Sequence, residues 1–380
     1  MNSSSSFPNL VPAPRLALIS SGAGYTTRGI EMWMVELARH LPAAMDVELI
    51  TGGPAPEVAR TRRRVWSLNR DAVMLRGRPW ARRYQWEQLS MLPGLILTLR
   101  RRRRTLAYCG DPVLTWHLKR FQRLHGAAVV FMNGMRLSPG WARHLDGVHL
   151  LADPYLEQAR AEVPAFAERF FAVPHFADTE KFRPATPEQK TAARAELGLP
   201  AEALVIATLG PIGSVSGKRL DFLAAEIAAC PGAVLAHGGG VEDGAEAVRS
   251  QVREALGERA RLLGSLDRPR VVRLFQAADA YSLGSLAEPF SIAILEAMAS
   301  GLPVVHHHDA VMRWQTGAGG FAVDMERPGA AAAAFARLRG EPAFHRQLSG
   351  QSRREAEQRY TPDKVCAQLG TALAQVRVRR

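Results

Sequence analysis

The stretch 278–305 constrains the fold of this chain more than any other part of the sequence. A short, half-apolar run at Ala280–Leu283 predicts a strand, and a loop follows it. Apolar side chains then recur at helical spacing as far as Met298. The glycine and proline within 301–303 end this helix, and the chain continues into a second apolar strand. Strand, loop, helix and strand in this order predict a parallel α/β sheet.

Two glutamates mark this stretch as a candidate binding site. Glu288 lies just before the helix, and Glu296 lies within it, eight positions further on. A carboxylate only accepts hydrogen bonds, so it suits sugar hydroxyl donors, and a charged hydrogen bond contributes roughly 1.5–3 kcal/mol. Taken alone, the pattern is also explained if Glu288 caps the helix and Glu296 faces solvent.

A longer pattern favours the binding role. The segment Glu288-Pro289-Phe290, the second glutamate and the run 297–305 closely resemble the pattern of retaining family 4 glycosyltransferases, which have the GT-B fold. The resemblance implies that Glu288 contacts donor-sugar hydroxyls and takes part in catalysis, and that Glu296 contacts the nucleotide ribose. It also implies that the helix start at Phe290, Ser291 and Ile292 stabilises the leaving group.

The length of 380 residues and the resemblance together predict two domains. The segment 171–184 resembles the interdomain segment of the family. We therefore expect a flexible tail at 1–14, an acceptor-side Rossmann-like domain at 15–174, a donor-binding Rossmann-like domain at 175–360, and a C-terminal helix at 361–380 that crosses back. The expected fold class is α/β, with two doubly wound domains facing across a cleft.

The first domain contains two candidate ligand positions. Gly22 and Gly24 lie in a loop between the first predicted strand and helix, and their spacing does not fit a dinucleotide fingerprint. A tight turn and a ligand loop both explain these glycines, while the resemblance implies that the loop faces the donor diphosphate. Asn133 follows a predicted strand where the family often has a histidine, and an amide cannot act as a base.

The loop 210–219 carries the candidate diphosphate ligands. Gly217-Lys218 invites comparison with a P-loop, but the glycine spacing is wrong and Arg219 stands where Ser or Thr is needed. The resemblance implies that Lys218 binds the diphosphate and takes part in catalysis. Pro211 stands where the family has an arginine, and Arg219 is the candidate replacement. Further on, Gly264 and Leu266 resemble the loop that lies against the nucleobase.

The positive charge is concentrated in the first half of the chain. Residues 1–178 have a net charge of +10, and residues 179–380 have a net charge of +3. The segment 60–104 interleaves arginines, including the run Arg100–Arg104, with tryptophans. Such a segment is explained by a solvated surface, an anionic membrane surface or nucleic acid. No nucleic-acid-binding motif accompanies the charge, so we expect no nucleic-acid partner.

The resemblance implies transfer of a hexose from a nucleotide-diphosphate sugar to an acceptor, with retention at the anomeric carbon. We expect the acceptor to be a lipid-linked molecule, a cell-surface glycan precursor or a small molecule. No cofactor and no required metal are expected. Three widely spaced cysteines and the lack of a signal peptide pattern favour a cytoplasmic location, with attachment to the inner membrane face left open. Two alternatives stay open: a non-catalytic nucleotide-sugar-binding GT-B protein and a GT-B epimerase.

Overall fold

The structure is a computed structural model that describes residues 15–26, 29–54, 56–101, 104–134, 137–213, 217–242 and 244–377. The predicted tail at 1–14 lies outside these residues, as do Arg102 and Arg103 of the arginine run. The chain divides into two compact units. The N-terminal unit comprises the chain to Leu151, Tyr155–Val173 and the end of the chain from Cys366, and the C-terminal unit comprises Ala152–Pro154 and Pro174–Val365.

The N-terminal unit is built on a seven-stranded sheet in which every strand pairing is parallel. Its strands are β1 (Arg15–Ser20), β2 (Val47–Thr51), β3 (Thr61–Arg64), β4 (Thr105–Cys109), β5 (Ala128–Met132), β6 (Gly147–Leu150) and β7 (Phe170–Ala172). The strand order is β3-β2-β1-β4-β5-β6-β7. This order, in which the chain winds outward from β1 in both directions, is that of a doubly wound Rossmann-like sheet.

The C-terminal unit repeats this architecture with a six-stranded parallel sheet. Its strands are β8 (Leu204–Leu209), β9 (Ala233–Gly238), β10 (Ala260–Leu262), β11 (Ala280–Ser282), β12 (Val304–His307) and β13 (Gly320–Val323). The strand order is β10-β9-β8-β11-β12-β13. The predicted α/β class with two doubly wound sheets is therefore confirmed.

Helices connect the strands of both sheets. Those between the strands of the first sheet are α1 (Gly29–His40), α2 (Trp80–Arg100), α3 (Pro112–Arg120), α4 (Gln122–His125), α5 (Pro139–Ala142) and α6 (Asp153–Glu162). Those that follow are α7 (Pro187–Glu196), α8 (Leu220–Ala228), α9 (Ala245–Leu256), α10 (Arg268–Ala277), α11 (Ile292–Ala299), α12 (Ala310–Thr316), α13 (Ala330–Gly340), α14 (Pro342–Arg359) and α15 (Pro362–Ala374). Single 3₁₀ turns lie at Val73–Leu75, Pro164–Arg169, Gly257–Arg259 and Gly317–Gly319.

The central strands are buried on both faces, which explains why they read as continuous apolar runs rather than as alternating patterns. In β5 all five residues are buried, and in β8 five of six are. The edge strand β3 is the opposite case, because all four of its residues are exposed and three of them are arginines. Charged side chains along an open edge discourage pairing with another chain.

A buried hydrogen-bond relay fixes the protonation state of His149 in β6. The Trp33 Nε1–H donates to the Tyr108 hydroxyl at 3.2 Å, and that hydroxyl lies 2.6 Å from His149 Nδ1. His149 Nε2 lies 2.6 Å from the Val173 carbonyl oxygen, which only accepts, so Nε2 carries the proton and Nδ1 accepts from Tyr108. Burial lowers the pKa of His149 to about 4, and the ring is therefore neutral at pH 7.

The relay predicts a loss of stability in acid. In the unfolded chain a histidine takes up a proton near pH 6.5, whereas His149 in the folded protein does so only near pH 4. The contribution of His149 to the free energy of unfolding is therefore complete above pH 6.5 and declines as the pH falls below this value. Between pH 7.5 and 5.0 this one group lowers the free energy of unfolding by about 2 kcal/mol. Urea denaturation across this range should show a clearly smaller loss for His149→Gln than for the intact protein. The exposed His144 provides the control, since His144→Gln should leave the pH dependence intact; equal slopes for all three proteins would contradict the account.

Candidate functional site

The two residues proposed as catalytic meet at the carboxyl edge of the C-terminal sheet. Lys218 Nζ lies 2.6 Å from Glu288 Oε1, although the two residues are 70 positions apart. Lys218 precedes α8, and Glu288 lies in the loop between β11 and α11. The Lys218 side chain is 25% exposed and the Glu288 side chain 8% exposed. A largely desolvated carboxylate thus faces a cation that a solute can still reach.

Two glycines bring these loops together. Gly210, directly after β8, has φ of +151°, and a Cβ on it would lie 3.1–3.4 Å from three methylene carbons of Lys218. A Cβ on Gly284, just past β11, would lie 2.6 Å from the Arg219 carbonyl oxygen. Residues without side chains at these two positions allow the lysine stem and the β11 loop to approach closely.

Arg219 is held inside this arrangement. Its backbone is left-handed, with φ of +47°, which is unfavourable for a residue other than glycine. Its Nη1 donates to the carbonyl oxygens of Gly284 at 3.2 Å and Met325 at 3.0 Å, and its guanidinium lies 4.2 Å from the centre of the Phe222 ring. The side chain joins the loops after β11 and β13, and its predicted contact with the diphosphate stays a prediction.

Side-chain hydrogen bonds within the C-terminal unit hold the start of α11. Ser291 is the N-cap, and its Oγ accepts from the Ile294 N–H. Gln315 holds both backbone groups of Ser291, donating from Nε2 to its carbonyl at 2.6 Å and accepting from its N–H at 3.3 Å. The Ser291 N–H is thus engaged by a side-chain amide, and the helix begins at Ile292. Phe290 is half-buried and stacks on His175, with ring centres 5.5 Å apart.

Glu296, the predicted ribose ligand, is buried within α11 and forms an ion pair. Its Oε1 lies 2.7 Å from Nη1 of Arg268, the first residue of α10. The Glu296 side chain is 4% exposed, whereas that of Arg268 is 45% exposed. Glu296 is therefore not a solvated helix residue, which removes one of the two explanations that the sequence alone left open for it.

The predicted nucleobase loop lies over the end of β9. The Gly264 carbonyl oxygen accepts from the Gly239 N–H at 2.8 Å, and Gly264 itself has φ of +69°. A Cβ on Gly238 would lie 2.5 Å from Leu266 Cδ1, so this leucine packs directly on the strand end. Both residues lie at the same edge of the sheet as Lys218, because the strands are parallel.

Two buried polar atoms at this edge were not singled out from the sequence. His237 Nδ1, at the end of β9, and Ser285 Oγ, just after β11, are buried and have no hydrogen-bond partner. Burial lowers the pKa of His237 to about 4, so the ring is neutral. Unsatisfied buried polar atoms are unfavourable, and a bound ligand or water can satisfy them. In the sequence, the only indication of these two residues is their position at the carboxyl ends of strands, where ligands of parallel sheets bind.

The glycine loop of the N-terminal unit is explained by packing within that unit. A Cβ on Gly22 would lie 2.3 Å from Arg70 Nη2. Gly24 has φ of +87°, and a Cβ on it would collide with the Pro54 carbonyl oxygen. Arg70 is buried beneath the loop and pairs with Glu87 at 2.6 Å and Glu31 at 2.7 Å. Both glycines are needed for this packing, and their predicted contact with the diphosphate stays a prediction.

Asn133 uses its amide to brace the loop after β5. Its Nδ2 donates to the Leu137 carbonyl at 2.7 Å, and its Oδ1 accepts from the Leu137 N–H at 2.9 Å. It also lines a pocket together with Tyr155, Gln158 and Glu162. The residue is therefore a loop anchor at the wall of this pocket.

One group of side chains among the described residues has the spacing of a metal site. Ligand atoms of His307, His308 and Asp324 lie within 4.8 Å of one another. His307 Nδ1, however, accepts from the Met325 N–H at 3.1 Å, so the neutral ring carries its proton on Nε2. The only nitrogen of His307 with an unprotonated lone pair is thus engaged. We assign no ion to this group, and the absence of a required metal stays a prediction.

Part of the C-terminal unit is similar to proteins of a known family. Residues 203–340 match the family model of glycosyl transferases group 1. The chain is 35% identical over 125 residues to D-inositol 3-phosphate glycosyltransferase from Mycobacteroides abscessus, covering 32% of this chain and 28% of that protein. It is 34% identical over 138 residues to the protein of the same name from Corynebacterium urealyticum, covering 34% and 32%. The chain thus matches less than a third of the length of each relative.

Solved structures extend the likeness to nearly the whole chain. Sucrose-phosphate synthase from Thermosynechococcus elongatus superimposes with a TM-score of 0.76 at 19% identity, over 96% of this chain and 99% of that one. HepE from Anabaena, solved in complex with UDP-glucose, gives a TM-score of 0.75 at 17% identity, over 96% and 100%. The fold is GT-B. The segment 203–340, which holds Lys218, Glu288 and Glu296, matches the model of the glycosyl transferase group 1 family, in agreement with the sequence resemblance.

The partly exposed Lys218 provides a direct test of the site. Lys218→Ala should weaken the binding of UDP or GDP, whichever binds the intact protein, by about tenfold or more, because a charged hydrogen bond to phosphate is lost. Isothermal titration calorimetry measures this directly. Lys190 is the matched control, since it pairs with Asp279 at 2.5 Å near the amino end of β11. Lys190→Ala should leave the affinity unchanged, and equal affinities for the intact protein and Lys218→Ala would contradict the assignment.

Proposed function

We propose that the protein transfers a hexose from a nucleotide-diphosphate sugar to an acceptor, with retention of configuration at the anomeric carbon. The observation that carries the proposal is the Lys218–Glu288 pair at the carboxyl edge of a group 1 glycosyltransferase domain. Ligands of open α/β sheets bind at this edge. HepE, which shares the fold, was solved with UDP-glucose, and this supports a nucleotide-sugar donor.

The chemistry needs one cation and one carboxylate at the places where charge changes. The bond between the anomeric carbon and a diphosphate oxygen breaks, and the electron pair leaves with the diphosphate. Lys218 stabilises that anion, and Glu288 accepts hydrogen bonds from hydroxyls of the sugar as it gains positive character. A new bond forms between the anomeric carbon and an acceptor oxygen, whose proton passes to the leaving phosphate.

Turnover decides between a transferase and the two alternatives. An acceptor-dependent release of nucleoside diphosphate supports transfer, whereas donor conversion without an acceptor supports an epimerase. Binding without turnover supports a non-catalytic binder. Each outcome is read from one assay in which UDP-glucose and related donors are incubated with and without acceptor mixtures and the products are resolved by mass spectrometry.

Glu288→Ala tests the role of the carboxylate in that assay. We expect kcat/KM to fall by about 10²-fold or more, because a preorganised charged contact to the reacting sugar is lost. The thermal unfolding midpoint should change little, since Lys218, the partner left behind, is partly exposed and can be solvated. Glu326, an exposed carboxylate in the same unit, is the control, and Glu326→Ala should retain full activity. Unchanged kinetics for Glu288→Ala would rule out the assigned role.

We further propose that the acceptor is presented at an anionic membrane surface. The outward face of α2 carries Arg82, Trp86, Pro93, Leu97 and Arg100, all exposed and spaced at helical intervals. Trp86 is 43% and Leu97 58% exposed. Apolar side chains flanked by arginines suit the boundary between lipid headgroups and hydrocarbon.

The segment that directly precedes α2 in the sequence also combines exposed apolar and basic side chains. Val73 and Met74 are 70% and 77% exposed, and Arg76 and Arg78 beside them are exposed as well. Among the described residues, no helix has the length and hydrophobicity needed to cross a bilayer. Surface attachment through this face, with part of the attraction electrostatic, is therefore the form of membrane contact that we propose.

Vesicle flotation tests the membrane proposal. Vesicles containing anionic phosphatidylglycerol should carry the protein, neutral phosphatidylcholine vesicles should not, and added salt should reduce binding because screening acts over about 8 Å at physiological ionic strength. Trp86→Ala with Arg82→Gln should lower flotation several-fold. Trp116→Ala removes an exposed tryptophan of α3 and serves as the control. Equal flotation with anionic and neutral vesicles would contradict the proposal.

A further inference from the structure

Glu296, the predicted ribose ligand, forms an ion pair with Arg268, a residue to which the function proposed above gives no role. Arg268 Nη1 lies 2.7 Å from Glu296 Oε1, across 28 positions of sequence. The two partners differ in exposure, because the carboxylate is almost fully buried and the guanidinium is nearly half exposed. The pair therefore joins a buried anion to a cation that solvent can reach.

The position of Arg268 is fixed independently of Glu296. It is the first residue of α10, and the N-cap Asp267 holds the start of this helix by accepting from the Arg270 N–H at 3.0 Å. The guanidinium also lies 5.0 Å from the centre of the Phe182 ring, which is fully buried. A cation over an aromatic face is attracted to it, so the ring supports the guanidinium from the side of the core.

This support restricts where the Glu296 carboxylate can point. Glutamate has several rotamers of similar energy, and a charged hydrogen bond to a fixed partner selects one of them. A ribose offers two neighbouring hydroxyls, and a carboxylate binds both only if its orientation is held. The guanidinium also offsets the cost of keeping the carboxylate charged while it is buried.

We propose that Arg268 is a positioning residue for the nucleoside end of the donor site and acts through Glu296. This inference rests on the proposed function, since it takes Glu296 as the ribose ligand. Ribose contacts are made equally before and during sugar transfer. Arg268 therefore sets the affinity for the nucleotide rather than the rate of the chemical step.

Binding and kinetics of the full-length protein test this role. Arg268→Ala should weaken the binding of UDP or GDP, whichever binds the intact protein, by about tenfold. The donor KM should rise by a similar factor while kcat stays within about twofold. Arg268→Lys keeps a cation at this position and should restore most of the affinity.

Two controls separate positioning from a loss of structure. Arg270→Ala removes an exposed arginine from the same helix, and Arg273→Ala breaks an exposed pair with Glu196 at 3.3 Å. Neither should change nucleotide affinity. In a Glu296→Gln background, Arg268→Ala should have no further effect, because a residue that acts through the carboxylate loses its role when the charge is removed.

The outcomes distinguish this inference from the function on which it rests. If the intact protein binds neither UDP nor GDP nor any nucleotide sugar, the proposed function fails and the inference fails with it. If the intact protein binds a nucleotide and Arg268→Ala binds it equally well, only the positioning role is overturned. An equal loss from Arg268→Ala in the intact and Glu296→Gln backgrounds would also overturn it, since Arg268 would then act independently of Glu296.

Discussion

Every strand pairing among the described residues of both sheets is parallel, and the candidate site depends on this constraint. A parallel sheet places the carboxyl ends of its strands along one edge, where the following loops converge. The loops after β8 and β11 and the end of β9 thereby bring Lys218, Glu288 and His237 to one edge from positions far apart in the chain. Glycines at 210 and 284 then let these loops approach to van der Waals distance.

The Lys218–Glu288 pair joins two groups that have separate tasks in the proposed reaction. The cation is suited to a diphosphate, and the carboxylate to sugar hydroxyls. In the protein alone each group partly neutralises the other. A donor therefore has to replace a contact of 2.6 Å, and its phosphate charge provides the competing attraction for the lysine. Glu288 then gains hydroxyl donors in place of the ammonium group.

Local sequence patterns predicted the elements whose apolar spacing is regular. The strand, helix and strand within 278–305 are examples, and the residues of the site were found from a motif. The helix α2 was not predicted, because Pro93 and Gly94 lie inside it and arginines fill its first turns. Its buried face, which includes Met91 and Leu95, was hidden by these helix-breaking residues.

Contacts between residues that are far apart in the chain could not be predicted from the sequence. Nothing near Glu296 indicates that Arg268 pairs with it, and nothing near Gly22 indicates that Arg70 fills the space beneath it. The direction of the Arg219 side chain depends on a left-handed backbone conformation that the sequence does not predict. Such features arise from tertiary packing, which sets side-chain direction after the elements are placed.

The most direct test of the account is a crystal structure of the protein with UDP-glucose. The account predicts that the diphosphate lies within hydrogen-bond distance of Lys218 Nζ, and that Glu288 has separated from the lysine and accepts from glucose hydroxyls. The ribose hydroxyls should lie against Glu296, with the Arg268 contact intact. A bound nucleotide sugar located elsewhere, with the Lys218–Glu288 pair still closed, would contradict the central claim.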